Sequence, residues 1–147
     1  MNISIVGAGY VGLVTSACFA EMGNNVVCID SNEKKINKLQ EGIIPIYEPG
    51  LSELIQTNIN VSRLSFTTSI KNNINKSDVI FIAVGTPEQK DGNLNLKYLY
   101  SVAKEIGNTI SKKLIIVNKS TVPIGTNNKI KKIITECINK RKKKYFI

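Results

Sequence analysis

Short runs of β-branched residues alternate with helical stripes along this chain. Ile3–Val6 and Val26–Ile29 are apolar runs that end at Gly7 and Asp30, and such runs predict buried strands. The segment between them has helical spacing and stops at Gly23, which predicts the helix of a strand–helix–strand unit. The predicted buried face of this helix consists of Val11, Val14, Thr15, Cys18, Phe19 and Met22.

The same alternation continues to the end of the chain. Further helices are predicted over residues 32–41, from Pro49 onward, over residues 69–75, and along apolar stripes from Leu96 to Ile110 and from Ile130 to Ile138. Further strands are predicted at Leu64–Thr67, Val79–Val84 and Leu114–Val117, and Tyr145–Ile147 begins a sixth apolar run.

Strands that alternate with helices build a mostly parallel sheet with helices on both faces, because each right-handed crossover returns the chain to the sheet. Six strands favour a doubly wound α/β fold of the Rossmann type, with strand order 3-2-1-4-5-6. We expect residues 1–147 to form one such domain. Three residues are fewer than the usual strand length of about five or six, so we expect a truncated last strand and a longer parent protein.

Composition adds an uneven distribution of charge. The chain is 42% apolar and 21% charged, as in a globular domain, and its formal net charge is +9. Eight of its 20 Lys and Arg residues lie between Lys129 and Lys144, where Glu136 is the single acid. Basic residues suit a helix C-terminus, where partial negative charge accumulates, and no aromatic platform accompanies them. We therefore favour a solvated helix end over a nucleic-acid site.

Three cysteines, Cys18, Cys28 and Cys137, form no C-x-x-C pair, and the chain has no His. This set predicts neither a disulfide framework nor a metal site, and it indicates a cytoplasmic location. Each cysteine falls on a predicted apolar face, so we expect all three to be small buried residues rather than catalytic thiols. The N-terminus lacks the basic region of a signal peptide, and its glycines oppose a membrane span.

A G-x-G-x-x-G motif, Gly7-Ala8-Gly9-Tyr10-Val11-Gly12, lies between a predicted strand and a predicted helix. Gly7 permits a tight turn, Gly9 allows a pyrophosphate to approach the backbone, and Gly12 allows close packing of helix and strand. The free N–H groups of the helix N-terminus would then face the phosphates. The motif therefore predicts a dinucleotide site rather than glycines that serve packing alone.

Asp30 lies 18 residues after Gly12, at the end of the second predicted strand. A carboxylate there can accept hydrogen bonds from the hydroxyls of the adenine ribose. The 2′-phosphate of NADP would meet a like charge, so Asp30 predicts NAD as the cofactor. Lys35 follows one helical turn later and is expected to reach the cofactor.

Two loops with hydroxyl residues follow the fourth and fifth predicted strands. Val84 and Thr86 belong to the first loop, and Ser120 and Thr121 belong to the second. Ligands of open α/β sheets bind beyond the carboxyl ends of the strands, so these hydroxyls are candidates to face the nicotinamide half. Roles of these hydroxyl residues as helix caps or in turns explain their presence equally well.

Oxidation of an alcohol by hydride transfer also needs a base for the hydroxyl proton. Lys35 and Lys119 are the candidates in the expected crevice. Lys119 is more consistent with a solvated strand end, and Lys35 with a cofactor contact. The residues alone therefore predict a cofactor site without an assigned base.

Four blocks of sequence carry a resemblance to a known family. They are residues 7–13 (GAGYVGL), 45–51 (PIYEPGL), 84–87 (VGTP) followed by Asp91-Gly92, and 119–126 (KSTVPIGT). In order and spacing they resemble the N-terminal domain of the UDP-glucose 6-dehydrogenase family, across nearly the whole chain. The resemblance implies NAD contacts at Tyr10, Val11, Asp30, Lys35, Thr86 and Thr121, and it implies a catalytic role for Thr121 near the reacting centre.

The resemblance also implies a reaction, the four-electron oxidation of UDP-glucose to the carboxylate by two NAD through intermediates on a cysteine. None of the three cysteines here matches that nucleophile, because in the family it lies beyond the sixth strand, as do most UDP-sugar contacts. We therefore expect this chain to supply the NAD site, to meet UDP-glucose only through an absent domain, and to lack turnover alone. The implied parent protein is a homo-oligomer without nucleic-acid or membrane partners.

Two alternatives remain open. The sugar contacts lie mostly outside these residues, so the substrate could instead be another UDP-sugar, such as UDP-N-acetylmannosamine. The chain could also be an NAD-binding module without turnover.

Overall fold

The computed structural model describes residues 1–144. The strands are β1 Asn2–Val6, β2 Asn25–Ile29, β3 Leu64–Thr67, β4 Val79–Ile82 and β5 Ile115–Asn118. The helices are α1 Tyr10–Glu21, α2 Glu33–Gln40, α3 Leu51–Asn60, α4 Lys71–Ile74, α5 Lys97–Thr109 and α6 Thr126–Lys144. Each strand and helix predicted within these residues is present, although α6 extends beyond its apolar stripe at both ends.

All strands of the described sheet pair in parallel, in the order β3-β2-β1-β4-β5. The central strand is β1, in which Ile5 lies opposite Cys28 of β2 and Phe81 of β4. This order confirms the prediction of a doubly wound α/β fold of the Rossmann type. Tyr145–Ile147, the predicted start of a sixth strand, lie outside the described residues.

Both faces of the sheet are buried, because alternate residues of each strand point to opposite sides. Ile5 of β1 belongs to a buried cluster with Leu13 of α1 and Ile55 of α3. Val6 belongs to a second cluster, with Ile106 of α5 and residues of α6. The helices therefore cover the two faces and leave the carboxyl ends of the strands accessible.

The buried face of α1 differs from the prediction. Its buried residues are Gly12, Leu13, Ser16, Ala17 and Ala20. Val11 and Met22, which were expected on that face, are 46% and 75% exposed. The helix has no charged residue before Glu21, so its hydrophobic pattern does not single out one face. Small side chains let the helix lie close to the sheet, and this close packing determines which face is buried.

The three cysteines occupy different environments. Cys28 of β2 is buried as predicted, and burial raises the pKa of its thiol to about 12. Cys18 is exposed, so the prediction of burial is wrong for this residue, and the cause is the different orientation of α1. Cys137 is half-buried on α6, where it faces α5 beside Gly107.

The last helix, α6, packs on the sheet and on α5 through an apolar stripe. Ile130 and Ile134 are buried, whereas Lys131, Lys132 and Lys140 are exposed. These lysines therefore form a solvated helix face, whereas Arg141 is half-buried and its guanidinium donates to the carbonyl oxygen of Ile110. Within residues 1–144, no helix combines the length and the apolar composition that a membrane crossing requires.

We predict that Gly107→Ala destabilises the fold, although alanine normally favours a helix. A Cβ at Gly107 would lie 2.7 Å from the Cβ of Cys137 and 2.9 Å from the carbonyl oxygen of Ile134. Such overpacking costs about 1–3 kcal/mol, whereas the gain in helix propensity is about 1 kcal/mol. The free energy of unfolding in urea should therefore fall by up to about 2 kcal/mol.

The matched control is Asn108→Ala, at the next and exposed position of α5. It has a helix propensity gain of similar sign, at most about 0.7 kcal/mol, without the contact to α6. A Gly107→Ala variant as stable as the Asn108→Ala variant would contradict the proposed packing constraint.

Candidate functional site

The turn after β1 lies between the ends of β2 and β4. Gly7 has a φ of +112°, which L side chains rarely adopt, and its N–H donates to the carbonyl oxygen of Ile29 at 2.7 Å. A Cβ at Gly7 would lie 2.5 Å from the carbonyl oxygen of Ala83. Gly7 therefore makes the tight turn expected of the first glycine in the motif.

Gly12 lies where the first turn of α1 crosses this loop. A Cβ at Gly12 would lie 1.7 Å from the carbonyl oxygen of Gly7, far inside van der Waals contact. This approach is possible only for glycine. The close packing expected at the third glycine of the motif thus depends on one backbone contact.

Gly9 differs from the other two glycines, because no atom lies within 4 Å of a Cβ placed there. It is the N-cap residue of α1, and no side chain caps this helix. The first bond of the helix runs from the Leu13 amide to the Gly9 carbonyl, so the amides of Tyr10, Val11 and Gly12 have no intrahelical acceptor. Free amides at the start of a helix suit an anion such as the pyrophosphate of a dinucleotide.

Asp30 connects the end of β2 with the glycine-rich loop. Its Oδ2 accepts hydrogen bonds from the Ala8 amide at 2.8 Å and from Lys35 Nζ at 2.9 Å. Its Oδ1 accepts a hydrogen bond from the Asn32 amide at 2.9 Å. The carboxylate is therefore held in one position beside the N-terminus of α1.

The same contacts keep Asp30 ionised. Burial opposes the charged form, but the Asn32 amide, the Lys35 ammonium and the Ala8 amide outweigh it and hold the pKa of Asp30 below its ordinary value. An ionised carboxylate only accepts hydrogen bonds, so it suits the hydroxyls of a ribose. It would repel a phosphate on that ribose.

A cleft with a volume of about 660 Å³ lies beyond the carboxyl ends of β1, β2 and β4. This volume is within the usual range for cofactor sites, about 300–1,000 Å³. The location is the one at which open α/β sheets bind ligands. Five of the predicted cofactor residues line the cleft, namely Gly7, Gly9, Asp30, Lys35 and Val84.

The predicted hydroxyl residues lie beside this cleft and connect two loops. Thr86 Oγ1 donates to the carbonyl oxygen of Thr121 at 2.8 Å, and Ser120 Oγ donates to the carbonyl oxygen of Val84 at 2.7 Å. These bonds use the hydroxyl hydrogens of Thr86 and Ser120 to join the loops after β4 and β5. The side chain of Thr121 is exposed.

Tyr10 and Val11 are 54% and 46% exposed, and they form the first turn of α1 directly after Gly9. The Tyr10 hydroxyl donates to a carboxylate oxygen of Glu48, and this hydrogen bond raises the pKa of Tyr10. Glu48 belongs to the segment that precedes α3. The contact therefore joins that segment to the start of α1.

Sequence reasoning missed one wall of the cleft. It is a stripe along α5, with the helical spacing i, i+3, i+4 and i+7, formed by Tyr98, Ser101, Val102 and Glu105. The core side of α5 was visible in its apolar pattern, but polar residues on a helix are usually solvent-facing. The only available signal was that α5 follows the VGTP loop at the end of β4.

Groups suited to acid–base or covalent chemistry are less evident. Lys119 is exposed, and Lys35 is paired with Asp30. Within residues 1–144, no cluster of three or more His, Cys, Asp or Glu side chains could hold a metal ion. The described residues thus point to cofactor binding more directly than to catalysis.

The turn at Gly7 and the carboxylate of Asp30 occupy the positions at which a doubly wound sheet holds a dinucleotide, so the fold and the site define a dinucleotide-binding domain. Comparison with known proteins defines it further. The profile of the UDP-glucose/GDP-mannose dehydrogenase family, NAD binding domain, matches residues 1–147. The chain belongs to this family, and its cofactor is NAD.

Similar proteins include two bacterial UDP-glucose 6-dehydrogenases. The chain is 48% identical to that of Rhizobium meliloti over 137 residues and 50% identical to TuaD of Bacillus subtilis over 133 residues. The matches cover 92% and 90% of this chain but 31% and 29% of those proteins. The chain therefore spans less than a third of the length of these relatives.

Solved structures show the same fold. A ternary complex of GDP-mannose dehydrogenase from Pseudomonas aeruginosa matches with a TM-score of 0.90 and 43% identity, over 93% of this chain and 32% of that one. A UDP-glucose dehydrogenase from Pyrobaculum islandicum matches with a TM-score of 0.87 and 37% identity, over 92% and 32%. The family thus includes enzymes for different sugar nucleotides.

We predict that Asp30 contributes stability that depends on pH. Its pKa is lowered in the folded protein, so the contribution is fully present above the ordinary Asp value of about 3.9 and is lost as pH falls through the folded value. The difference in unfolding free energy between wild type and Asp30→Asn should therefore be largest near neutral pH and should shrink below about pH 4. Urea titrations across this range measure it.

A second variant, Glu136→Gln, removes one negative charge from an exposed position and corrects for the change in net charge. A difference between wild type and Asp30→Asn that stays constant from neutral to acidic pH would show that the carboxylate is not stabilised as described.

Proposed function

We propose that this chain supplies the NAD site of a UDP-glucose 6-dehydrogenase, which oxidises UDP-glucose to UDP-glucuronate. The observation that carries the cofactor part is the fixed carboxylate of Asp30 beside the open space at Gly9. The substrate part is supported by 48% and 50% identity to UDP-glucose 6-dehydrogenases.

In this proposal each part of the cleft holds one part of NAD. The amides of Tyr10 and Val11, with Gly9 before them, bind the pyrophosphate, because unpaired amides and the helix dipole favour an anion. Asp30 accepts hydrogen bonds from the adenine ribose, and Lys35 orients the Asp30 carboxylate. Gly7 and Gly12 shape the turn that brings these groups together.

The nicotinamide end of the site is assigned to the loops after β4 and β5. Val84 lines the cleft, and the bonds of Thr86 and Ser120 fix the two loops relative to each other. Thr121 is the residue that we place nearest the reacting centre, because its exposed side chain lies on the loop tied to Thr86. NAD held by these residues would supply the hydride acceptor for oxidation of the substrate alcohol.

The proposal further holds that these residues do not complete the reaction alone. Burial keeps the thiol of Cys28 protonated, with a pKa of about 12, and only the thiolate is a nucleophile. Neither Cys18 nor Cys137 lines the cleft. The nucleophile and most contacts to the sugar nucleotide are therefore assigned to another part of a larger protein.

A second candidate substrate follows from the solved relatives. The chain is 43% identical to the GDP-mannose dehydrogenase of Pseudomonas aeruginosa and 32% identical to the UDP-N-acetyl-mannosamine dehydrogenase Cap5O of Staphylococcus aureus. The cleft residues fit the cofactor common to these enzymes, so they do not distinguish the sugars. We retain UDP-glucose because the two highest identities reported above, 50% and 48%, are to UDP-glucose 6-dehydrogenases.

The cellular location and the oligomeric state of the parent protein are also proposals. Free cysteines suit a reducing cytoplasm, and both NAD and nucleotide sugars are phosphorylated small molecules. We propose a cytoplasmic, homo-oligomeric parent enzyme. Neither a nucleic acid nor a membrane is part of the proposal, since the described lysines of α6 form a solvated face.

We predict that Asp30→Ala weakens NAD binding by about 1–3 kcal/mol, the scale of a hydrogen bond to a charged group. Binding of NADP should weaken less or improve, because the variant no longer repels the 2′-phosphate and Lys35 remains nearby. Calorimetric titration with both cofactors measures the change in their affinity ratio.

Asp91→Ala is the matched control, since this aspartate is exposed and lies outside the cleft lining. It should leave both affinities unchanged. Equal NAD binding by the wild type and the Asp30→Ala variant would remove Asp30 from the site and would refute the cofactor part of the proposal.

We also predict that the 147-residue chain with NAD and UDP-glucose produces no NADH, because none of its thiols is placed as the nucleophile. NADH absorbance measures turnover, and titration of NAD under the same conditions shows that the folded chain is present. Reduction of two NAD per sugar by this chain alone would disprove the proposal that the nucleophile belongs to another part of a larger protein.

A further inference from the structure

The α5 wall of the cleft carries three hydrogen-bonding groups, the hydroxyls of Tyr98 and Ser101 and the carboxylate of Glu105. The ring of Tyr98 and the side chain of Val102 present apolar surface. Ser101 lies between these two residues along α5, and Glu105 follows Val102 on the same side of the helix. The salt bridges in the described part of the chain are Lys35–Asp30 and Lys112–Asp78, so Glu105 has no cationic partner there. Its carboxylate is available to a ligand in the cleft.

The position of the adenine follows from the position of its ribose, and this step depends on the function proposed above. Asp30 at the end of β2 would hold the ribose, and the pyrophosphate would lie toward Gly9. The base must therefore lie on the remaining side of the cleft. That side is lined by Ile70 after β3 and by the α5 wall, and Ile70 and Val102 of α5 belong to one buried cluster.

We propose that Glu105 determines specificity for adenine by accepting a hydrogen bond from its exocyclic amino group. A carboxylate is only an acceptor, whereas the hydroxyl of Ser101 can donate or accept and therefore does not select. A purine that carries an oxygen in place of the amino group would present an acceptor to the carboxylate. Glu105 would then repel it and leave its own charge unsatisfied.

The apolar neighbours of Glu105 strengthen this selection. Val102 is buried, and Ile70 is 5% exposed, so the ring would enter a largely apolar slot. Glu105 itself is exposed at the rim, so a bound ring would exclude water from its carboxylate, and hydrogen bonds and repulsions are stronger where water is excluded. A single carboxylate at the rim of such a slot is therefore sufficient to distinguish two purines of the same shape.

The test compares NAD with nicotinamide hypoxanthine dinucleotide, which has an oxygen where adenine has its amino group. Calorimetric titration of the wild-type chain should give about tenfold tighter binding of NAD. Glu105→Ala should bind both dinucleotides with similar affinity. Glu105→Gln adds an amide donor, so it should gain affinity for the hypoxanthine dinucleotide and reduce or reverse the preference.

Glu136→Gln, which neutralises an exposed acid on α6, should keep the wild-type preference. A wild type without preference, or a Glu105→Ala variant that keeps it, would overturn the inference. If both dinucleotides bind equally and Asp30→Ala weakens both, only the role of Glu105 fails. If neither binds to folded protein, the proposed NAD site fails and the inference fails with it.

Discussion

The close contact between the carbonyl of Gly7 and the backbone of Gly12 is the constraint on which the site depends. A Cβ at Gly12 would lie 1.7 Å from that carbonyl oxygen, so no other residue allows α1 to begin so near the end of β1. This closeness selects the small residues Ser16, Ala17 and Ala20 for the buried face. It also directs the uncapped N-terminus of α1 toward the cleft, where an anion meets three amides at once.

Asp30 stabilises the same turn through hydrogen bonds. Its carboxylate joins the Ala8 amide of the glycine-rich loop to Lys35 of α2 and to the Asn32 amide, so one half-buried charge connects neighbouring segments. Because these donors hold the group ionised, the position that stabilises the turn also presents acceptors to a ribose. The same side chain thus contributes to the stability of the fold and, in the proposed function, to the choice of cofactor.

The parts of the fold that could be predicted are those that local spacing determines. Gly7, Gly9, Gly12 and Asp30 were recognisable because the turn and the helix start require them at fixed intervals. The buried face of α1 was not, since an uncharged helix carries no periodic signal, and Cys18 was misplaced with it. The α5 wall was missed because Glu105 meets the cleft only through tertiary packing, and a lone Glu on a helix resembles any solvated residue.

The two ends of the cleft differ in how completely the described residues build them. At the adenosine end proposed above, Asp30 and Lys35 provide charges joined by a hydrogen bond, and Val102 of the α5 wall provides buried apolar surface. At the nicotinamide end, Thr86 and Ser120 use their hydroxyl hydrogens to join the loops. Binding energy for the cofactor should therefore come mainly from its adenosine half. If the adenosine half supplies most of the binding energy, the nicotinamide half can be positioned by the groups that recognise the sugar nucleotide. Enzymes for different sugars can therefore share one cofactor domain.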